Sequence, residues 1–145
     1  MTQPTFFSWH HERDLWRSSI VSRSPQLEDI HKTWISARRW EKAKSSGDSA
    51  LASLVLNGLK HTPVTAVLIG PETAHREWMQ YEINSTLKRG NGLLGIYIHN
   101  ILDQDGRTAP QGSNPLPPGY PTYDWVFDDG DRNLGKWVEV AHYSP

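Results

Sequence analysis

The chain of 145 residues contains no cysteine. That removes disulfides, thiolate metal sites and cysteine nucleophiles together, and it fits a reducing compartment. Net charge is nearly absent too. A formal charge of −1 at pH 7 gives no electrostatic case for a nucleic-acid partner, which needs a concentrated basic face. Arg38, Arg39, Lys42 and Lys44 form a local basic cluster that reads as a solvated face. No apolar run approaches the length that spans a bilayer. The opening MTQPTFFSWHHERD lacks the basic-then-apolar pattern of a secretory leader. The expectation is a cytoplasmic protein with neither membrane nor nucleic acid as partner.

Several catalytic motifs are also missing. There is no Gly-x-x-x-x-Gly-Lys-Ser/Thr loop, which argues against a P-loop nucleotide hydrolase, and no GxGxxG follows the first strand, as a hydride-transferring dinucleotide fold would require. No GxSxG elbow and no HExxH pair occurs. Gly70-Pro71 stands where a response regulator would carry its phosphoacceptor aspartate. The paired His10 and His11 lack partner spacing for a metal, so no metal site is expected.

What is present describes one domain over residues 1–145. Apolar residues make up 37%, enough for a core at this length. Seven tryptophans exceed core needs, and aromatic faces suit nucleobases and sugars. Thr5 to Trp9 reads as a first strand, followed by the polar loop His10 to Arg13 and a helix over Asp14 to Arg23. Ser24-Pro25 ends that helix. Glu28 to Ser36 is ambiguous, with a short strand at the sheet's edge as one reading. Ser45 to Asp48 is a turn, and Asp48 is a candidate cap for a helix striped by Leu51, Leu54, Val55 and Leu59.

Val64 to Ile69 is a near-continuous apolar run, the pattern of a strand buried on both faces of a parallel sheet. Gly70-Pro71 breaks it. The next helix is expected from a Thr73 cap to about Arg89, with Met79, Ile83 and Leu87 as its core stripe. Leu93 to Ile98 is another buried strand. His99 to Tyr123 is rich in Pro, Gly, Asp and Asn; so long a connection suggests a functional loop or lid. Trp125 to Tyr143 is assigned a last short strand and a closing helix. Strand alternating with helix predicts a flavodoxin-like, doubly wound parallel sheet flanked by helices. Ligands of such sheets bind beyond the carboxyl ends of the strands, where strand order reverses.

Two constellations can carry chemistry. Glu82 follows Trp78 by four residues, on adjacent turns of one helix face beside Tyr81. With a helix starting near Ala74, it lies more than two turns in, too far for a role in the helix dipole. It is either a boundary glutamate paired to Arg or Lys, or a carboxylate that contacts a ribose and stabilises an oxocarbenium-like centre. The second constellation is Phe6 to Asp14. Alternation places Phe7 and Trp9 on one face of the strand and Ser8 on the other. His10, His11 and Arg13 then fall in the loop at the ligand end.

Four separated segments together resemble the TIR-like domain of the Thoeris anti-phage defence family. They are FFSWHHERDLWR (Phe6 to Arg17), WEKAKSSGDSAL (Trp40 to Leu51), LKHTPVTAVLIGPETAHREWMQYEI (Leu59 to Ile83) and GIYIHNILDQDG (Gly95 to Gly106). The resemblance implies a flavodoxin-like, TIR-like fold and an enzyme that cleaves NAD as substrate, with no separate cofactor. Its catalytic glutamate, in the Trp-x-x-Tyr-Glu helix, matches Glu82. By position it implies Phe7, Ser8, His10, His11, Arg13 and Trp78 as substrate-binding residues, with Trp78 and Tyr81 also readable as structural supports. It further implies a phage-derived activator, a homo-oligomer that completes the site, and an effector protein reached through a diffusible ADP-ribose-derived nucleotide. Two other readings stay open: a non-enzymatic interaction module, and a nucleoside glycosidase or deoxyribosyltransferase.

Overall fold

The computed structural model describes residues 3–28 and 32–143. Among these residues five strands form one parallel sheet: β1 (Thr5–Ser8), β2 (Lys32–Trp34), β3 (Val64–Ile69), β4 (Gly92–Tyr97) and β5 (Thr122–Asp124). Their order is β2-β1-β3-β4-β5, the flavodoxin-like order, with reversal between β1 and β3. The apolar run of β3 sits at the centre, and all six of its residues are buried. The short β2 lies at the edge of the sheet, within the stretch left ambiguous by sequence; residues 29–31 of that stretch lie outside the described residues.

Among the described residues five α-helices cover the two faces: α1 (Leu15–Ser22), α2 (Ala37–Ser45), α3 (Asp48–Leu59), α4 (Met79–Lys88) and α5 (Gly130–Tyr143). Alternation along β1 divides the core. Phe7 and Trp9 pack with Val21 of α1 and Leu134, Trp137 and Val138 of α5. Phe6 turns the other way, onto Leu51, Val55 and Leu59 of α3. Val67 and Ile69 extend that second face onto Met79 and Ile83 of α4. Among the described residues no helix is long and apolar enough to cross a membrane.

Four boundaries differ from the sequence expectation, each for a local reason. The segment after β3 is not one helix from Thr73. A 3₁₀ turn spans Thr73–His75, Arg76 is extended at φ −67° and ψ 132°, and α4 begins at Met79 with Trp78 at its cap position. Thr73 does not cap α4. Its hydroxyl accepts the Gly70 amide at 2.7 Å and donates to Asp14 at 3.2 Å, which holds the turn closed. Asp48 likewise is the first residue of α3, and Gly47 precedes it at the cap position with φ 103°, a conformation suited to glycine.

The basic cluster lies on a helix that apolar periodicity does not reveal. Ser36 caps α2 by accepting the Arg39 amide at 3.1 Å, and Trp40 is its buried anchor. The last strand precedes Trp125, because Thr122–Asp124 pairs with Gly95–Tyr97. The connection before it crosses the carboxyl end of the sheet as a strap. Arg17 donates to the carbonyls of Ile101 at 2.7 Å and Arg107 at 3.0 Å, Trp16 donates to Leu102 at 3.1 Å, and Leu116 enters the core.

Candidate active site

A cleft of about 400 Å³ opens at the carboxyl ends of β1 and β3, where strand order reverses. The loop after β1 supplies His10, His11 and Glu12, α2 supplies Trp40 and Lys44, and α3 supplies Asp48 and Leu51. The segment between β3 and α4 completes it with His75, Arg76, Glu77 and Trp78. The strap contributes none of these lining residues.

Glu82 lies beneath the lining. Because α4 starts at Met79, Glu82 is in its first turn, where the helix dipole favours a carboxylate. This corrects the expectation of a glutamate more than two turns in. A helical side chain leans toward the N-terminus, and that lean brings the carboxylate onto Arg76, six residues upstream. The two form an ion pair with side chains only 6% (Arg76) and 2% (Glu82) exposed. Arg76 also donates to Ser8 Oγ at 3.4 Å and lies 4.7 Å from the centroid of the Trp40 ring, within cation–π range. Its Nε is buried without a partner.

His10 and His11 are both shifted toward the neutral form, each with different contacts. His11 is buried and Nε2 faces the Ile35 carbonyl at 3.0 Å. A carbonyl only accepts, so Nε2 carries the proton and Nδ1 is a bare acceptor, itself buried without a partner. Burial, followed by the Arg76 charge, lowers the His11 pKa from 6.5 to about 3. His10 is lowered in the same direction, again by burial first and Arg76 second. Its Nδ1 accepts the amides of Glu12 and Arg13, each at 3.3 Å, leaving Nε2–H as its donor.

Aromatic rings set the walls. Trp40 meets Trp78 edge-on at 6.3 Å, and Trp78 meets Tyr81 edge-on at 4.9 Å. Next to the cleft, Asp14 closes the β1 and β3 loops together. It is buried, accepts from Thr73, and lies so close to Gly70 that any side chain there would strike its carboxylate. Burial raises its pKa from 3.8 to about 6, against the opposing Thr73 hydrogen bond.

Residues 6–103 match the family model described as Thoeris protein ThsB, TIR-like domain. The chain belongs to this family. It is 33% identical, over an alignment of 153 positions, to "Putative cyclic ADP-D-ribose synthase ThsB1" of Bacillus cereus (strain MSX-D12). That alignment takes in 100% of this chain and 79% of the relative.

Within this TIR-like domain the residues singled out by sequence separate. His10, His11 and Trp78 line the cleft. Ser8 sits behind it, bonded to Arg76 and 3.8 Å from the Met79 sulfur. Phe7 is on the other face of the sheet, stacked on Trp34 at 4.4 Å, so it and Glu82 are not brought together. Arg13 turns outward to an exposed pair with Glu72 at 3.0 Å. Sequence reasoning missed Arg76 and Trp40 as residues of this cleft. Arg76 and Glu82 are separated by a chain break in helicity, so no helical spacing links them. Trp40 belongs to a helix whose pattern is mostly charged.

Proposed function

We propose that this chain cleaves NAD at the bond between nicotinamide and ribose, with Glu82 as the catalytic residue. The observation that carries the reading is the buried Glu82 carboxylate, at the carboxyl edge of the sheet, paired to a guanidinium that lines the adjoining cleft. Family membership and the relative's printed name support it. The bonding electron pair of the C1′–N bond departs with nicotinamide, which leaves neutral. Positive charge develops on the ribose ring, and a fixed carboxylate stabilises it without needing to donate a proton. A nucleophile then bonds to C1′ and releases any proton it carried. A nitrogen of the adenine ring gives a cyclic product, and water gives ADP-ribose.

His10 and Trp78, with His11 behind them, are the proposed substrate contacts, and Ser8 acts through Arg76. Downstream, the ADP-ribose-derived product is the proposed diffusible signal to an effector protein. A phage-derived activator and self-assembly into an oligomer complete the scheme.

Purified protein incubated with NAD, with and without lysate of infected cells, tests this by liquid chromatography and mass spectrometry. The expected result is nicotinamide release that falls about 100-fold or more in Glu82→Gln. Equal turnover by folded Glu82→Gln rejects Glu82 as the catalytic carboxylate. No turnover under any condition, from folded and assembled protein, favours the interaction module.

A further inference from the structure

Arg76 both lines the cleft and occupies the carboxylate behind it, whereas Glu82 is not among the cleft-lining residues. We propose that Arg76 is an exchange gate, pairing either with Glu82 or with the pyrophosphate of a dinucleotide in the cleft, so that anion binding uncovers the carboxylate. This rests on the reading of the cleft as a dinucleotide site. Three observations carry it.

First, the guanidinium is incompletely satisfied. One Nη holds Glu82, the other reaches Ser8 at a long 3.4 Å, and Nε has no partner. A planar guanidinium binds phosphate oxygens through adjacent N–H groups, and the spare Nε–H is one of such a pair. Second, Trp40 holds the guanidinium through its ring face, 4.7 Å from the centroid. That contact needs neither anion, so it can guide the group between two partners. Third, the chain at Arg76 is extended, between a 3₁₀ turn and α4. The side chain is therefore not locked into a helical row.

Among the other basic side chains of the cleft, Lys44, His10 and His11 are less suited than Arg76 to hold an anion. Lys44 is half exposed and spent on Glu12 at 3.4 Å. His10 and His11 are held toward the neutral form, and His75 lies on the exposed rim of the cleft. Arg76 is then a buried cation facing a cleft that Glu12, Asp48 and Glu77 also line.

Isothermal titration calorimetry with ADP-ribose and with inorganic pyrophosphate tests the gate without any turnover. The proteins are wild type, Glu82→Gln, Arg76→Gln and the double variant, each checked for folding by circular dichroism. Removing the competing carboxylate in Glu82→Gln is expected to tighten both probes about tenfold. Arg76→Gln is expected to weaken both by at least about tenfold, and in that background Glu82→Gln no longer tightens them. Arg76→Gln alone leaves a buried carboxylate unpaired and can fail to fold. In that event the double variant, which removes both charges, decides: it should bind no more tightly than wild type. Unchanged affinity in Glu82→Gln, or equal tightening with and without Arg76, overturns the gate. Exchange without NAD turnover supports the gate and removes the enzymatic reading; turnover without exchange does the reverse.

Discussion

The imidazole of His11 lies flat on the indole of Trp40, with ring centroids 4.6 Å apart and planes 12° from parallel. The same indole carries the Arg76 guanidinium. One ring of α2 therefore positions a neutral acceptor and a buried cation of the cleft together. Trp40→Ala should cost about 3–5 kcal/mol of stability and weaken ADP-ribose binding in whatever protein remains folded. Trp40→Phe keeps an aromatic face and should retain most of both. Urea unfolding and calorimetry on the two variants check this, and a Trp40→Ala protein of full stability and affinity counts against it.

Stability should depend on pH through two opposing groups. His11 has its pKa lowered from 6.5 to about 3, so between those values the unfolded chain binds a proton that the native one does not. Its contribution is complete above 6.5 and declines as pH falls toward 3. Asp14 is raised from 3.8 to about 6. Its contribution is complete below 3.8 and is lost as pH rises through 6. Across about pH 4 to 6 the two slopes oppose each other. Asp14→Asn removes one of them, so its urea midpoint should climb with pH more steeply than that of wild type over this range. Parallel profiles contradict the Asp14 assignment.

Gly58 lies where α3 crosses Phe6. A methyl group there would meet the Phe6 ring at 2.6 and 2.8 Å. Alanine raises helix propensity by about 1 kcal/mol, but overpacking typically costs about 1–3 kcal/mol. Gly58→Ala should therefore be net destabilising, read as a lower thermal midpoint. A raised midpoint means that Phe6 can yield.

Arg13 and Arg76 provide a contrast in ion pairing. The Arg13–Glu72 pair is 63% and 52% exposed, and such pairs contribute little after solvent screening. Arg13→Ala should change unfolding stability by no more than about 0.5 kcal/mol and leave the proposed NAD turnover within about twofold of wild type. A large loss of turnover with intact stability restores Arg13 to the substrate contacts.

Much of the architecture is legible without coordinates because it rests on local pattern. The apolar run from Val64 to Ile69 declares a buried central strand, and Leu93 to Ile98 misses β4 by one residue at each end. Alternation in Phe6-Phe7-Ser8-Trp9 correctly divides those side chains between the faces of the sheet. The charged helix α2 escapes such reading because only Trp40 among its residues is buried, and one anchor sets no period.

The sequence by itself determined the parallel sheet, its central strands and the end at which a cleft would open, since hydrophobic period and crossover geometry act locally. It also supplied the Glu82 carboxylate, while leaving open whether that group is paired or used. Tertiary structure decided its surroundings. Arg76 reaches Glu82 only because the chain leaves the helical path between Thr73 and Trp78, and Trp40 joins them only because α2 packs on α3, bringing its ring into the cluster around Phe6. Burial then shifted the pKa values of His11 and Asp14. Desolvation depends on everything packed around a group, and no spacing along the chain records it.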